Sequence, residues 1–180
     1  MKISKYLTRE SLLNVTHAFI SSRLDCNNSL LYGLPAEDIR RVQMIQNTAA
    51  RIITRAKKDE HITPYLLDLH WLPVKFRIMF KILTITFKCL HQNDSPVYLS
   101  EMLSIKEVDI EADGVLTCSS EAPLFNIPKS GTKHYKERAF STAGPVLWND
   151  LPKDIRLINS FDLFKSALKT HFFKIFMSEL

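Results

Sequence analysis

PVKFRIMFKILTITFKCLH, residues 73–91, is apolar on almost every side when wound as a helix. Val74, Ile78, Ile82, Ile85 and Cys89 recur at helical spacing on one face, and Phe76, Phe80, Leu83, Phe87 and Leu90 on another. Arg77, Lys81, Thr84 and Lys88 leave only a narrow polar strip. A helix with two apolar faces must be covered on both, so this one is expected at the centre of the core. Pro73 stands where a helix favours its first residue.

Helical patterns continue on either side. Residues 64–69 read as a short helix before the Trp71-Leu72-Pro73 turn. Residues 36–57 carry Ile39, Val42, Ile45, Ala49, Ile52, Ile53 and Ala56 at helical spacing. Glu37 and Asp38 open that helix and Arg55, Lys57 and Lys58 close it, as its dipole prefers. Residues 9–24 form a further helix, capped by Thr8. Leu12, Val15 and Phe19 line one face of it and Leu13, Ile20 and Leu24 a second, which predicts packing on two sides. A connector closed by Gly33 and Pro35 follows.

Beyond the central segment, residues 96–103 read as one more short helix. Residues 104–130 are acidic and rich in Ser and Pro, with short strands possible at 115–118 and 124–127. In 139–151, Phe140, Val146, Leu147 and Trp148 are expected to pack inward. Ser160 caps a last helix striped by Phe161, Phe164, Leu168, Phe172 and Ile175. The fold class is therefore mainly α: a helical bundle with a short irregular or two-stranded β excursion near 104–130. The expected organisation is a basic bundle over 1–103, a linker or small β excursion over 104–138, and a helical segment over 139–180 that packs back on the bundle.

Composition agrees. The 180 residues are 46% hydrophobic with eleven Phe, which suits a folded core, and only four Gly, which suits helices better than a β-sandwich or a phosphate-binding loop. The net charge of +5 is unevenly spread: residues 93–127 carry −6, so the remainder carries +11. A basic body of this kind suits a polyanion partner. Cys26, Cys89 and Cys118 are too few and too far apart for a disulfide framework or a zinc ribbon, and suit a reducing, intracellular compartment, nuclear or cytoplasmic. No apolar run of spanning length occurs, so no membrane partner is expected.

On a helix over 36–57, at about 100° per residue, Arg40, Arg51, Arg55 and Lys58 fall within an arc of roughly 60° opposite the apolar stripe. They would extend along about 27 Å of axis. Two readings stand: a solvated surface, or a stripe that tracks phosphates. Arg77, Lys81 and Lys88 are the second set of candidate nucleic-acid contacts. Lys129, Lys133, Lys136 and Arg138 make a further basic knot, equally compatible with a solvated loop.

Catalytic patterns are missing from the sequence. A polymerase holds two metal ions on paired carboxylates, and no Asp-Asp pair occurs. Asp109, Glu111 and Asp113 lie in the polar segment with no apolar strand before them. The six His show no HxxxH or HExxH spacing, and no GxSxG, Walker or GxGxxG motif is present. No metal, cofactor or catalytic residue is expected.

Five segments in order are HAFISSRLDCNNSLLYGLP (17–35), VQMIQNTAARIITR (42–55), HITPYLLDLHWLPVKFRIMFKIL (61–83), YKERAFSTAGPVLWNDLPKDIR (135–156) and SFDLFKSALKTHFF (160–173). Together they resemble the region downstream of the polymerase core in jockey-like LINE (non-LTR) retrotransposon reverse transcriptases. The likeness runs from about Leu12 to Phe173. Two departures stand out: Cys26-Asn27 where the family usually has Tyr-Cys, and Leu116-Thr117-Cys118-Ser119 where it often has Leu-Arg-Ser-Ser.

The resemblance implies a non-catalytic, post-thumb segment of an RNA-directed DNA polymerase, here a truncated copy. Its implied partners are template RNA or primer duplex, held by phosphate contacts, and an upstream reverse transcriptase core. The alternative is a structural or protein-interaction remnant that binds no ligand and packs on that core.

Overall fold

A computed structural model describes residues 6–91, 95–106, 123–128 and 138–179. The fold is mainly helical, as the periodicities predict. The helices are α1 (Arg9–Thr16), α2 (Ser22–Asp25), α3 (Ala36–Thr54), α4 (Thr63–Asp68), α5 (Val74–His91), α6 (Val97–Glu101), α7 (Phe140–Asn149), α8 (Lys153–Arg156) and α9 (Phe161–Ser178). A π-helical turn, His17–Ser21, joins α1 to α2, so the helix expected over 9–24 is one path with a bulge in it. Thr8 caps it: its hydroxyl accepts from the Ser11 N–H at 3.2 Å. The connector holds a 3₁₀ turn, Asn28–Leu31, and Gly33 with φ 70°, a conformation that needs no Cβ.

By its contacts the chain divides into two compact units, residues 1–78 with 172–180, and residues 79–171. The division falls inside α5 and α9, where the sequence boundaries were 103/104 and 138/139.

In the first unit Leu12, Ala49, Ala50, Ile53, Leu66, Leu72, Val74, Phe76, Ile78 and Phe172 are buried. The turn between α4 and α5 is fixed by polar groups of α3. Gln46 is fully buried and its Nε2 donates to the Leu72 carbonyl at 2.8 Å. Gln43 Oε1 accepts from the Val74 N–H at 2.8 Å, one of the donors that a helix start leaves unsatisfied. Pro73 precedes α5, and its carbonyl accepts the first helical bond, from the Arg77 N–H. It is therefore the cap and not the first helical residue. α4 ends in a Schellman arrangement: the Trp71 N–H reaches the Leu66 carbonyl at 2.8 Å and the His70 N–H reaches Leu67 at 3.0 Å. His70 takes the left-handed position (φ 52°) that Gly usually fills.

In the second unit the core is aromatic. Phe87 stacks on Phe164 at 4.4 Å between centroids, Trp148 lies 5.7 Å from Phe164, and Phe125 meets Trp148 edge-on at 5.9 Å. Ile82, Leu83, Ala143, Leu151 and Leu168 complete it. In α7 the buried run is Thr142–Pro145 with Trp148, while Phe140, Val146 and Leu147 are only half-buried. The reason is close approach to α5. A Cβ on Gly144 would lie 2.9 Å from Thr86 Oγ1. Thr86 is itself fully buried and its hydroxyl donates to Ile82 O at 3.0 Å. Gly144→Ala is therefore expected to lower stability by about 1–2 kcal/mol, read from urea unfolding; an unchanged midpoint would show that the two helices are not this close.

Among the described residues no strand forms. The segment expected at 124–127 contributes one antiparallel bridge, Ile105 with Phe125, closed by Lys106 N–H to Leu124 O (2.8 Å) and Asn126 N–H to Ser104 O (2.7 Å). The strand expected at 115–118 and the basic residues Lys129, Lys133 and Lys136 lie outside the described residues.

Candidate nucleic-acid interface

α3 ends three residues earlier than its periodicity suggests. Its C-cap, Arg55, adopts φ 58°, ψ 26°, which turns the chain out of the helix after Thr54. Arg55 and Lys58 therefore leave the angular register that would align them with Arg40 and Arg51, and the four do not form one continuous helical stripe. Each has its own surroundings. Arg40 is exposed and paired with Glu37, three residues earlier, at 3.5 Å. Arg51 is half-buried and ties down the loop that follows α3, donating to the Lys57 carbonyl at 3.3 Å and the Glu60 carbonyl at 3.1 Å. Arg55 Nη2 donates to the Leu7 carbonyl at 3.2 Å. Lys58 is exposed in a turn.

The second set also separates. Arg77 makes a two-pronged ion pair with Asp25: Nε donates to Oδ1 at 2.9 Å and Nη2 to Oδ2. Its side chain is only 17% exposed, so its charge is answered inside the first unit. Lys81 and Lys88 are exposed on α5 in the second unit, two turns apart on one face. Lys88 Nζ lies 4.8 Å from the centre of the Phe161 ring, and Lys165 Nζ lies 4.6 Å from the same centre. The two ammonium groups are thus within about 9.4 Å of each other, and an aromatic face stabilises both. Lys165 also pairs with Asp162 at 2.8 Å.

Lys165 was missed because Lys88, the other lysine over the Phe161 ring, is 77 positions away in the sequence, a separation that no local pattern encodes. A second feature was missed for the same reason. Arg9, Ile53, Thr54, Arg55, Pro64, Tyr65 and Asp68 line a cleft of about 600 Å³ in the first unit. There Arg9 is ion-paired with Asp68. The Tyr65 hydroxyl donates to the Glu60 carboxylate, and this bond, with the proximity of that charge, raises the phenol above its ordinary pKa.

Burial raises the Cys89 thiol and lowers the His91 imidazole, which sits 4.4 Å from the Phe87 ring. Neither shift makes a nucleophile, since a raised thiol is a less available thiolate. Among the described residues no three His, Cys, Asp or Glu side chains gather as a metal site, and no helix is long and apolar enough to cross a membrane. No family model, curated protein or solved structure matches the chain.

Proposed function

We propose that the chain is the non-catalytic C-terminal, post-thumb segment of a non-LTR retrotransposon RNA-directed DNA polymerase, and that it holds template RNA or primer duplex by phosphate contacts. The five ordered segments of resemblance support the family. The observation that carries the binding role is the convergence of Lys88 and Lys165 on Phe161, with Lys81 on the same face of α5 as Lys88. Lysines on a helical face supply positive charge to a backbone without reading its bases. In the first unit, taken by itself, Arg40 and Lys58 are exposed, whereas Arg77 and Arg51 are engaged with Asp25 and with the loop after α3.

Fluorescence anisotropy of a labelled RNA–DNA duplex across a salt series tests this. With about four phosphates engaged, log affinity is expected to fall with log salt at a slope of roughly −3 to −4. Replacing Lys81, Lys88 and Lys165 by Gln is expected to make the slope shallower by about 2–3. Binding insensitive to salt, or untouched by the triple replacement, counts against the reading.

A second reading, a remnant that packs on a polymerase core, is favoured by one observation. Phe19 and Leu30 of the first unit are 75% and 72% exposed, and Val15 joins them. Of the face expected to carry Leu12, Val15 and Phe19, Leu12 is buried, while Val15 and Phe19 are open to solvent. Size-exclusion chromatography separates the readings: a monomer with no affinity for nucleic acid favours the remnant.

A further inference from the structure

The end of α3 carries a residue type that its backbone disfavours. Arg55 sits at φ 58°, in the left-handed region where a Cβ is penalised and where helices commonly close on Gly. Its bond to the Leu7 carbonyl, at 3.2 Å, is at the surface and uses one of five guanidinium donors. A strained, non-glycine cap points towards a role for its side chain.

That side chain lines the cleft of about 600 Å³ with Arg9, Tyr65, Asp68, Ile53 and Pro64. The volume falls inside the range of ligand sites, about 300–1,000 Å³. Its chemistry is divided. Ile53, Pro64 and the Tyr65 ring offer flat, apolar surface. Arg9 and Arg55 offer two guanidinium groups, and Asp68 offers an acceptor that Arg9 holds in place. The ring is anchored, because Glu60 accepts from the Tyr65 hydroxyl and also from the Lys57 N–H at 3.2 Å. A nucleotide shows the same division: a flat base, donors on its edge, and a phosphate that guanidinium groups grip in pairs.

We propose that this cleft takes one nucleotide of a single-stranded polynucleotide, its base against Tyr65 and its phosphate on Arg9 and Arg55. The inference rests on the reading of the chain as a nucleic-acid-binding segment and sharpens it. Lysines on a helix face track any backbone, whereas a stacking cleft takes only a base that is free to leave its helix.

The full chain is titrated with uridine 5′-monophosphate, followed by amide chemical shifts, and with a labelled short oligouridylate and a duplex, followed by anisotropy. The mononucleotide is expected to shift the amides of Ile53, Tyr65 and Asp68. Arg55→Gly is expected to weaken oligouridylate binding roughly tenfold or more, without lowering the melting temperature, because Gly relieves the backbone. Tyr65→Leu, which removes the ring, is expected to lose binding, and Tyr65→Phe, which keeps the ring but not its anchor on Glu60, is expected to bind between the parent chain and Tyr65→Leu. Oligouridylate bound equally by parent and Arg55→Gly, with no mononucleotide shifts, overturns the cleft and leaves the wider reading standing. No binding of either oligouridylate or duplex overturns both.

Discussion

Trp148→Ala is expected to destabilise the second unit by about 3–5 kcal/mol, the range for deleting a buried large aromatic. Three effects add. The indole is fully buried among Phe87, Phe125 and Phe164, with centroids 6.4, 5.9 and 5.7 Å away, so truncation leaves a cavity walled by rings that cannot all collapse into it. The ring contacts themselves are lost. The Pro123 carbonyl, which accepts from the indole Nε1–H at 2.9 Å, also loses its donor. Leu163→Ala, on the exposed side of α9, is the control and is expected to stay within about 0.5 kcal/mol. Urea unfolding followed by far-ultraviolet circular dichroism measures both. A loss below about 1.5 kcal/mol for Trp148→Ala would mean that the aromatic cluster is not the core of this unit.

That cluster shows how far the sequence reaches. Phe87 and Phe164 were legible because each belongs to a stripe at helical spacing, and such a stripe has to be covered whatever covers it. α5 is accordingly buried on both of its expected faces, by Val74, Ile78 and Ile82 on one and Phe76, Leu83 and Phe87 on the other. Thr84 falls on the polar strip by its spacing, yet it is buried, its hydroxyl donating to Lys81 O at 2.8 Å. A threonine that satisfies itself on its own helix carries no obligation to face water.

The basic residues were less legible, and the reason is physical. Where α3 ends depends on Arg55 entering the left-handed region, and no Gly or Asn marks the spot. The pattern of Ala49, Ile52, Ile53 and Ala56 therefore carries the eye past the true end. Whether an arginine faces solvent depends on partners that sequence spacing does not show. Arg51 is recruited by carbonyls six and nine residues on, at Lys57 and Glu60. Lys88 meets its ring 73 positions later, at Phe161. Charge totals were readable; which charges remain available for a polyanion was not.

Arg77 is the sharpest instance, and it gives the second large effect. Asp25→Ala is expected to lower the stability of the first unit by about 2–3 kcal/mol. The guanidinium, 17% exposed, would keep its desolvation and lose the carboxylate that answers it. The figure lies below the usual 3–5 kcal/mol for breaking a buried pair because Asp25 is itself 42% exposed, and water screens part of the attraction. Arg77→Met keeps the apolar stem against the core and removes the charge, so it is expected to be milder. The double variant is expected to resemble Arg77→Met alone, so the coupling energy in the cycle is expected to equal the Asp25→Ala loss, roughly 2–3 kcal/mol. Urea unfolding of the four proteins supplies that number. Arg77→Met is also expected to leave the salt dependence of nucleic-acid binding unchanged, unlike the replacement of Lys81, Lys88 and Lys165. Additive losses in the cycle would show that Asp25 and Arg77 act independently. A slope shallower by about one for Arg77→Met would return this residue to the phosphate contacts from which its ion pair removes it.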